Sequence, residues 1–112
     1  MDFLPDKEFH ILFKRITKTV DLRGAGTPAE INARLNGKIS EIRYNYGSNP
    51  LAQLQAESKV RPLEALISAG FGRRAISDAA AYPQGRVALT LKYGREKARS
   101  ILRKRKRKRL FT

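Results

Sequence analysis

The chain has 112 residues, 24 Lys/Arg against 10 Asp/Glu, a formal net charge of +14, one His and no Cys or Trp. One domain of ordinary size is expected, with enough apolar residues for a modest core. Disulfides, Cys-ligated zinc and iron–sulfur clusters are excluded. The charge is uneven: residues 1–60 carry nine Lys/Arg and seven Asp/Glu, whereas residues 86–112 carry 12 and one.

The opening Met1-Asp2-Phe3-Leu4-Pro5 lacks the cationic and apolar regions of a secretory signal. The apolar stretches fall far short of the roughly 20 residues that cross a bilayer. A soluble protein of the cytoplasm, nucleoid, nucleus or virion is expected, with a membrane partner disfavoured.

Asp6 is placed to cap a first helix, with Phe9, Leu12, Phe13, Ile16 and Val20 on one face. The end of that segment, Thr17 to Leu22, also alternates like a strand. Gly24-Ala25-Gly26 breaks the chain. Thr27-Pro28-Ala29-Glu30 reads as a capping box: Thr27 accepts from the Glu30 N–H and Glu30 reaches back to Thr27. Ile31, Leu35, Ile39, Ile42 and Tyr46 follow at helical spacing and predict a long helix over 28–46. Asn36-Gly37 admits a rival hairpin, but that register splits Ile39 and Ile42 between faces. In the helix, Gly37 marks a weak point or a close contact with another helix.

Asn49-Pro50 restarts a short helix to about Lys59, with Leu51 and Leu54 inward. Pro62 opens another, with Leu63, Leu66 and Ile67, stopping near Gly70. Gly70-Phe71-Gly72 forms a turn, and Arg73 to Tyr82 a further helix that ends before Pro83. Val87, Leu89, Leu91 and Tyr93 alternate with Arg86, Ala88, Thr90 and Lys92, the pattern of a half-buried strand. From Arg95 the residues favour helix, with Ala98, Ile101 and Leu102 on one face.

The candidate sites follow from charge and turns. Arg103, Lys104, Arg105, Lys106, Arg107, Lys108 and Arg109 form seven consecutive cations. Such a run suits a polyanion, through phosphate neutralisation and counterion release, and carries no base code. Arg95, Lys97 and Arg99 extend it toward the body. The arm can bind as a helix or as an extended strand folding on contact. Residues 62–82 resemble a helix-turn-helix, with Gly70 as turn glycine, Phe71 buried, Ile76 and Ala79 inward, and Ser77 and Asp78 outward. Arg73 and Arg74 then face outward to reach a phosphate or guanine. Leu66 stands where that motif has a small residue, and Gly72 loosens the turn.

Other features point to ordinary structure. Gly24-x-Gly26-x-x-Ala29 matches a pyrophosphate loop, but there is no room for the βαβ unit it needs. His10 has no second His or Cys to share a metal. Tyr44, Tyr46, Tyr82 and Tyr93 could stack on bases, though their spacing fits core and turn packing.

The sequence thus predicts a mainly α fold: a helical body over 1–94, with four to five helices and a strand or hairpin near 86–93. A basic arm follows over 95–112. The expected function is non-enzymatic nucleic-acid binding, DNA before RNA, with no cofactor, metal or small-molecule substrate. A homodimer through the 28–46 stripe is expected, because a chain this short can leave it uncovered. A structural RNA-binding subunit of a ribonucleoprotein, and a capsid or scaffold component that packs genome by charge, stay open.

Overall fold

A computed structural model describes residues 4–110, and among these the architecture is six α-helices: α1 (Asp6–Ile16), α2 (Pro28–Tyr46), α3 (Pro50–Ser68), α4 (Phe71–Ala81), α5 (Arg86–Tyr93) and α6 (Arg95–Leu110). The small helical domain expected from the sequence is present, with no strand among the described residues.

α2 is the central pillar. Thr27 accepts from the Glu30 backbone N–H at 3.2 Å and Pro28 takes the first turn. The Glu30 carboxylate reaches back to the N–H of Gly26 rather than of Thr27, so the reciprocal bond falls one residue earlier. Ile31, Leu35 and Ile39 are buried, and Ile42 packs against the same core. Burying aliphatic side chains is worth about 1.5–3 kcal/mol each. The stripe expected to seek a second copy is therefore covered within the chain, mainly by α3 and α4. Ile42 and Tyr46, the last two members of that stripe, are half-buried. The helix runs unbroken through Asn36-Gly37, and Gly37 faces open space.

α3 corrects the sequence reading twice. Asn49 caps it, accepting from the Leu51 N–H at 2.9 Å. The helix then passes straight through Pro62, and Ala56, Val60, Leu63 and Leu66 form its buried face. An internal proline costs a hydrogen bond and roughly 3 kcal/mol. Burial of apolar side chains on both sides of it offsets that cost. With this face inward, Leu51 and Leu54 are exposed, not inward.

Phe9 and Phe13 of α1 meet Phe71 of α4, with ring centroids 5.7–6.1 Å apart. Asp6 does not cap α1; Pro5 occupies the cap position without a side-chain bond. Residues 17–22 form turns rather than a strand, with Val20 and Leu22 buried. The Arg34 guanidinium donates to the carbonyls of Asp21 and Arg23, tying that loop to α2. The Gly24 N–H donates to Leu91 O, tying it to α5.

The expected strand at 86–93 is α5. Val87, Leu89, Thr90 and Leu91 are all buried, because α5 lies between α4 and α6. Val87, Thr90 and Leu91 fall at i, i+3 and i+4, but the middle member of that stripe is polar and Leu89 is buried as well, so the alternation of Val87, Leu89 and Leu91 mimicked a strand. Gly94, with φ +93°, ends α5, and its carbonyl accepts the first α6 bond from Ala98.

Candidate nucleic-acid interface

The seven-cation run is helical. α6 has 16 residues, a rod of about 24 Å. One face packs on the body: Ala98 is buried, and Ile101, Leu102 and Arg105 are half-buried. These four fall at the helical spacings of three and four, so a single stripe anchors the helix. Arg105 completes the anchor. Its guanidinium donates to the Gln84 carbonyl at 2.6 Å and to Gln84 Oε1 at 2.8 Å, in the α4–α5 loop.

The boundary drawn at 94/95 falls between α5 and α6, and the first two turns of α6 pack on the body through Ala98, Ile101 and Leu102. Past Arg105 no apolar residue occurs before Leu110. Arg103, Lys104, Lys106, Arg107, Lys108 and Arg109 are exposed. They occupy almost the whole circumference, with only the Arg105 direction turned inward. Like charges three and four apart repel by about 0.2–0.5 kcal/mol per pair at low salt. Cations in the last turn also gain from the helix dipole.

The remaining predicted residues are spread over two regions. Arg95 is half-buried and Arg99 exposed at the start of α6. Lys97 lies 4.8 Å from the Tyr93 ring centroid, and Lys92 sits 5.2 Å from it. Arg73 and Arg74 sit in the first turn of α4, away from α6, and they diverge. Arg73 is exposed. Arg74 is turned inward, with its side chain 22% exposed, paired with Asp6 and Asp78, and 5.6 Å over the Phe9 ring.

α3 and α4 meet at Gly70 in the left-handed region, φ +78°, with Phe71 buried and Ile76 and Ala79 against the core. Gly72 does not loosen the turn. It lies inside α4, where a Cβ would stand 2.7 Å from Pro28 Cα, so it permits α4 to touch the start of α2. Asp78, expected outward, is only 13% exposed and faces Arg74 and His10. The outward face of α4 presents Arg73, Ser77 and Ala80, which is thin for reading bases.

Two residues escaped the sequence reading. Lys14 of α1 and Arg86 of α5 meet Arg95 and Arg99 around a cavity of about 130 Å³. No local signal joins Lys14 to Arg86 across 71 intervening positions, and Arg86 read as the solvent face of a strand. The tyrosines also differ from expectation: Tyr44 is 87% and Tyr82 69% exposed. His10 is half exposed, 3.8 Å from Asp78. Among the described residues, no helix is long and apolar enough to cross a membrane, and no three potential ligands could hold a metal ion.

No relative stands behind this geometry. The chain matches no protein-family model, no curated protein and no solved structure. Charge, shape and packing alone bear on what the surface does.

Proposed function

We propose that the protein is a non-enzymatic nucleic-acid-binding protein that grips duplex DNA through α6. One observation carries the reading: six exposed cations stand on a helix end whose opposite side is anchored by Ala98, Ile101, Leu102 and Arg105. An anchored cationic rod costs less ordering entropy on binding than a free tail. Its partner must supply dense negative charge, and duplex DNA carries one charge per about 1.7 Å of axis.

Shape favours DNA over duplex RNA. A helix about 10–12 Å across fits the B-form major groove, which is about 12 Å wide. The A-form major groove is too narrow to admit it. Cations on nearly every side meet phosphates rather than a set of base edges, so binding is indifferent to sequence. Arg73 can add a peripheral contact from the segment 62–82. Arg74 is left out of the contact set, because Asp6 and Asp78 already engage it.

The test uses the full chain, since removing residues 95–112 would strip Ala98 from the core. Arg103, Lys104, Lys106, Arg107, Lys108 and Arg109 are changed together to Gln, a fair helix former. Wild type and variant are titrated against duplex DNA, single-stranded DNA and structured RNA over 50–200 mM salt. For about six phosphates, log K against log salt should slope near −5, roughly a thousand-fold loss across that range. The variant should lose most of that binding. Unchanged binding refutes the reading. A preference for structured RNA transfers it to a ribonucleoprotein subunit, and large symmetric assemblies transfer it to a genome-packing scaffold.

A further inference from the structure

We infer that the cleft between α1, α5 and α6 is a phosphodiester site that seats one backbone phosphate of the same nucleic acid and sets the angle of α6 on it. This rests on the reading above and adds a site on the body itself.

Four cations from three helices line the cleft: Lys14, Arg86, Arg95 and Arg99. No Asp or Glu lines it. Elsewhere the protein pairs its buried or half-buried cations. Arg74 has Asp6 and Asp78, Arg105 has Gln84, and Arg34 has two carbonyls. None of the four cleft cations has a hydrogen-bonding or ion-pairing partner among the described residues. Arg95 is moreover half-buried. Convergent cations repel one another and cost stability unless an anion joins them.

The dimensions suit one phosphate group. A cavity of about 130 Å³ has room for a phosphate group, and its open mouth lets a chain pass through. Arginine forks match phosphate oxygens in pairs. The cleft is also in line with the arm. Arg95, Arg99, Arg103 and Lys106 are spaced four, four and three apart, so they share one face of α6. That face spans about 16 Å, long enough to follow several successive phosphates. A phosphate in the cleft therefore lies at the root of the cationic stripe, and the strand continues along it.

The experiment compares three full-length variants with wild type, using a 20-base-pair duplex over the same salt series. Lys14→Gln with Arg86→Gln removes half of the cleft charge and leaves α6 intact. Lys7→Gln with Lys59→Gln removes the same charge from elsewhere on the surface. The third variant is the sixfold α6 change. If the cleft holds a backbone phosphate, the cleft pair should shrink the magnitude of the salt slope by about 1–2 and weaken binding at least ten-fold at 100 mM salt. The control pair should move neither by as much as half of that. Equal effects from the two pairs mean net charge alone, and the cleft proposal falls. A cleft pair that binds like wild type while the sixfold variant fails overturns the cleft and leaves α6 standing. If no variant changes binding, α6 fails as well. A parallel titration with inorganic phosphate, read by backbone amide shifts at Thr17 and Thr90, separates the source of the anion. Saturable shifts with unchanged DNA binding by the cleft pair make it a free-phosphate site and overturn the proposal.

Discussion

The same substitution at two glycines should move stability in opposite directions. Gly37 lies in the middle of α2 with nothing within 4 Å of a built Cβ. Alanine there gains helix propensity and reduces the freedom of the unfolded chain, by about 0.5–1 kcal/mol. Gly72 lies in the first turn of α4, where a Cβ would stand 2.7 Å from Pro28 Cα, 2.8 Å from its carbonyl oxygen and 3.0 Å from its Cβ. Two of those atoms are backbone at the start of a helix, so no rotamer change relieves the contact. α4 must move away from α2, and overpacking of this kind costs about 1–3 kcal/mol. With two backbone atoms met below 3.0 Å, the cost here is about 2–3 kcal/mol. Less a propensity gain of at most about 1 kcal/mol, Gly72→Ala should be destabilised by about 1–2 kcal/mol, or roughly 4–8 °C in Tm. Gly37→Ala should gain roughly 2–4 °C. Thermal unfolding followed by far-UV circular dichroism reads both. Gly72→Ala equal to or more stable than wild type would refute the close approach of α2 and α4, and with it the packing that orients α4.

Thr27→Ala should cost about 1 kcal/mol by uncapping α2, seen as a Tm lower by about 4 °C; no change would mean that Glu30 and Pro28 hold the start alone. Asp21 has its pKa lowered from 3.8, first by the Arg23 backbone N–H. Glu57 has its pKa lowered from 4.5, first by its hydrogen bond from Arg43. Both groups hold fewer protons when folded than when unfolded, so their stabilisation is full above those values and drains away as pH falls through the folded pKa. Tm should be flat from pH 7 to about 5 and fall below about 4, and Glu57→Gln should flatten part of that fall. Both groups are largely exposed, so the effect should be small and weaken with salt. Finally, polyanion binding relieves repulsion along residues 103–109, so DNA should raise the helical signal and slow amide exchange there. Exchange that stays the same at saturation would place α6 outside the contact.

Much of the molecule is legible from local chemistry. The capping residues of Thr27-Pro28-Ala29-Glu30 and the spacing of Ile31, Leu35 and Ile39 specify α2 without reference to any other helix. Asn49 and Gly70 mark their helix ends for equally local reasons. Leu51 and Leu54 read as core because a short helix from Asn49 has no other apolar pair. Once α3 runs through Pro62, Val60, Leu63 and Leu66 take the inward side. α5 was misread because its helical stripe runs through a polar residue, Thr90, while Leu89 is buried beside it and completes an alternating pattern. Lys14 and Arg86 escaped notice because a cleft formed by three helices leaves no spacing in any one of them.

Composition and charge order by themselves determine that this chain is a small helical protein with a strongly cationic end, since caps, apolar periodicity and like-charge runs act within a few residues. Tertiary structure alone decided that Pro62 stays inside a helix, that Gly72 is an inter-helix contact, that Arg74 turns inward to Asp6 and Asp78, and that α6 is anchored along one side. Those outcomes depend on which surfaces meet after folding, and burial against a distant segment outweighs the local preference of the residue that is buried.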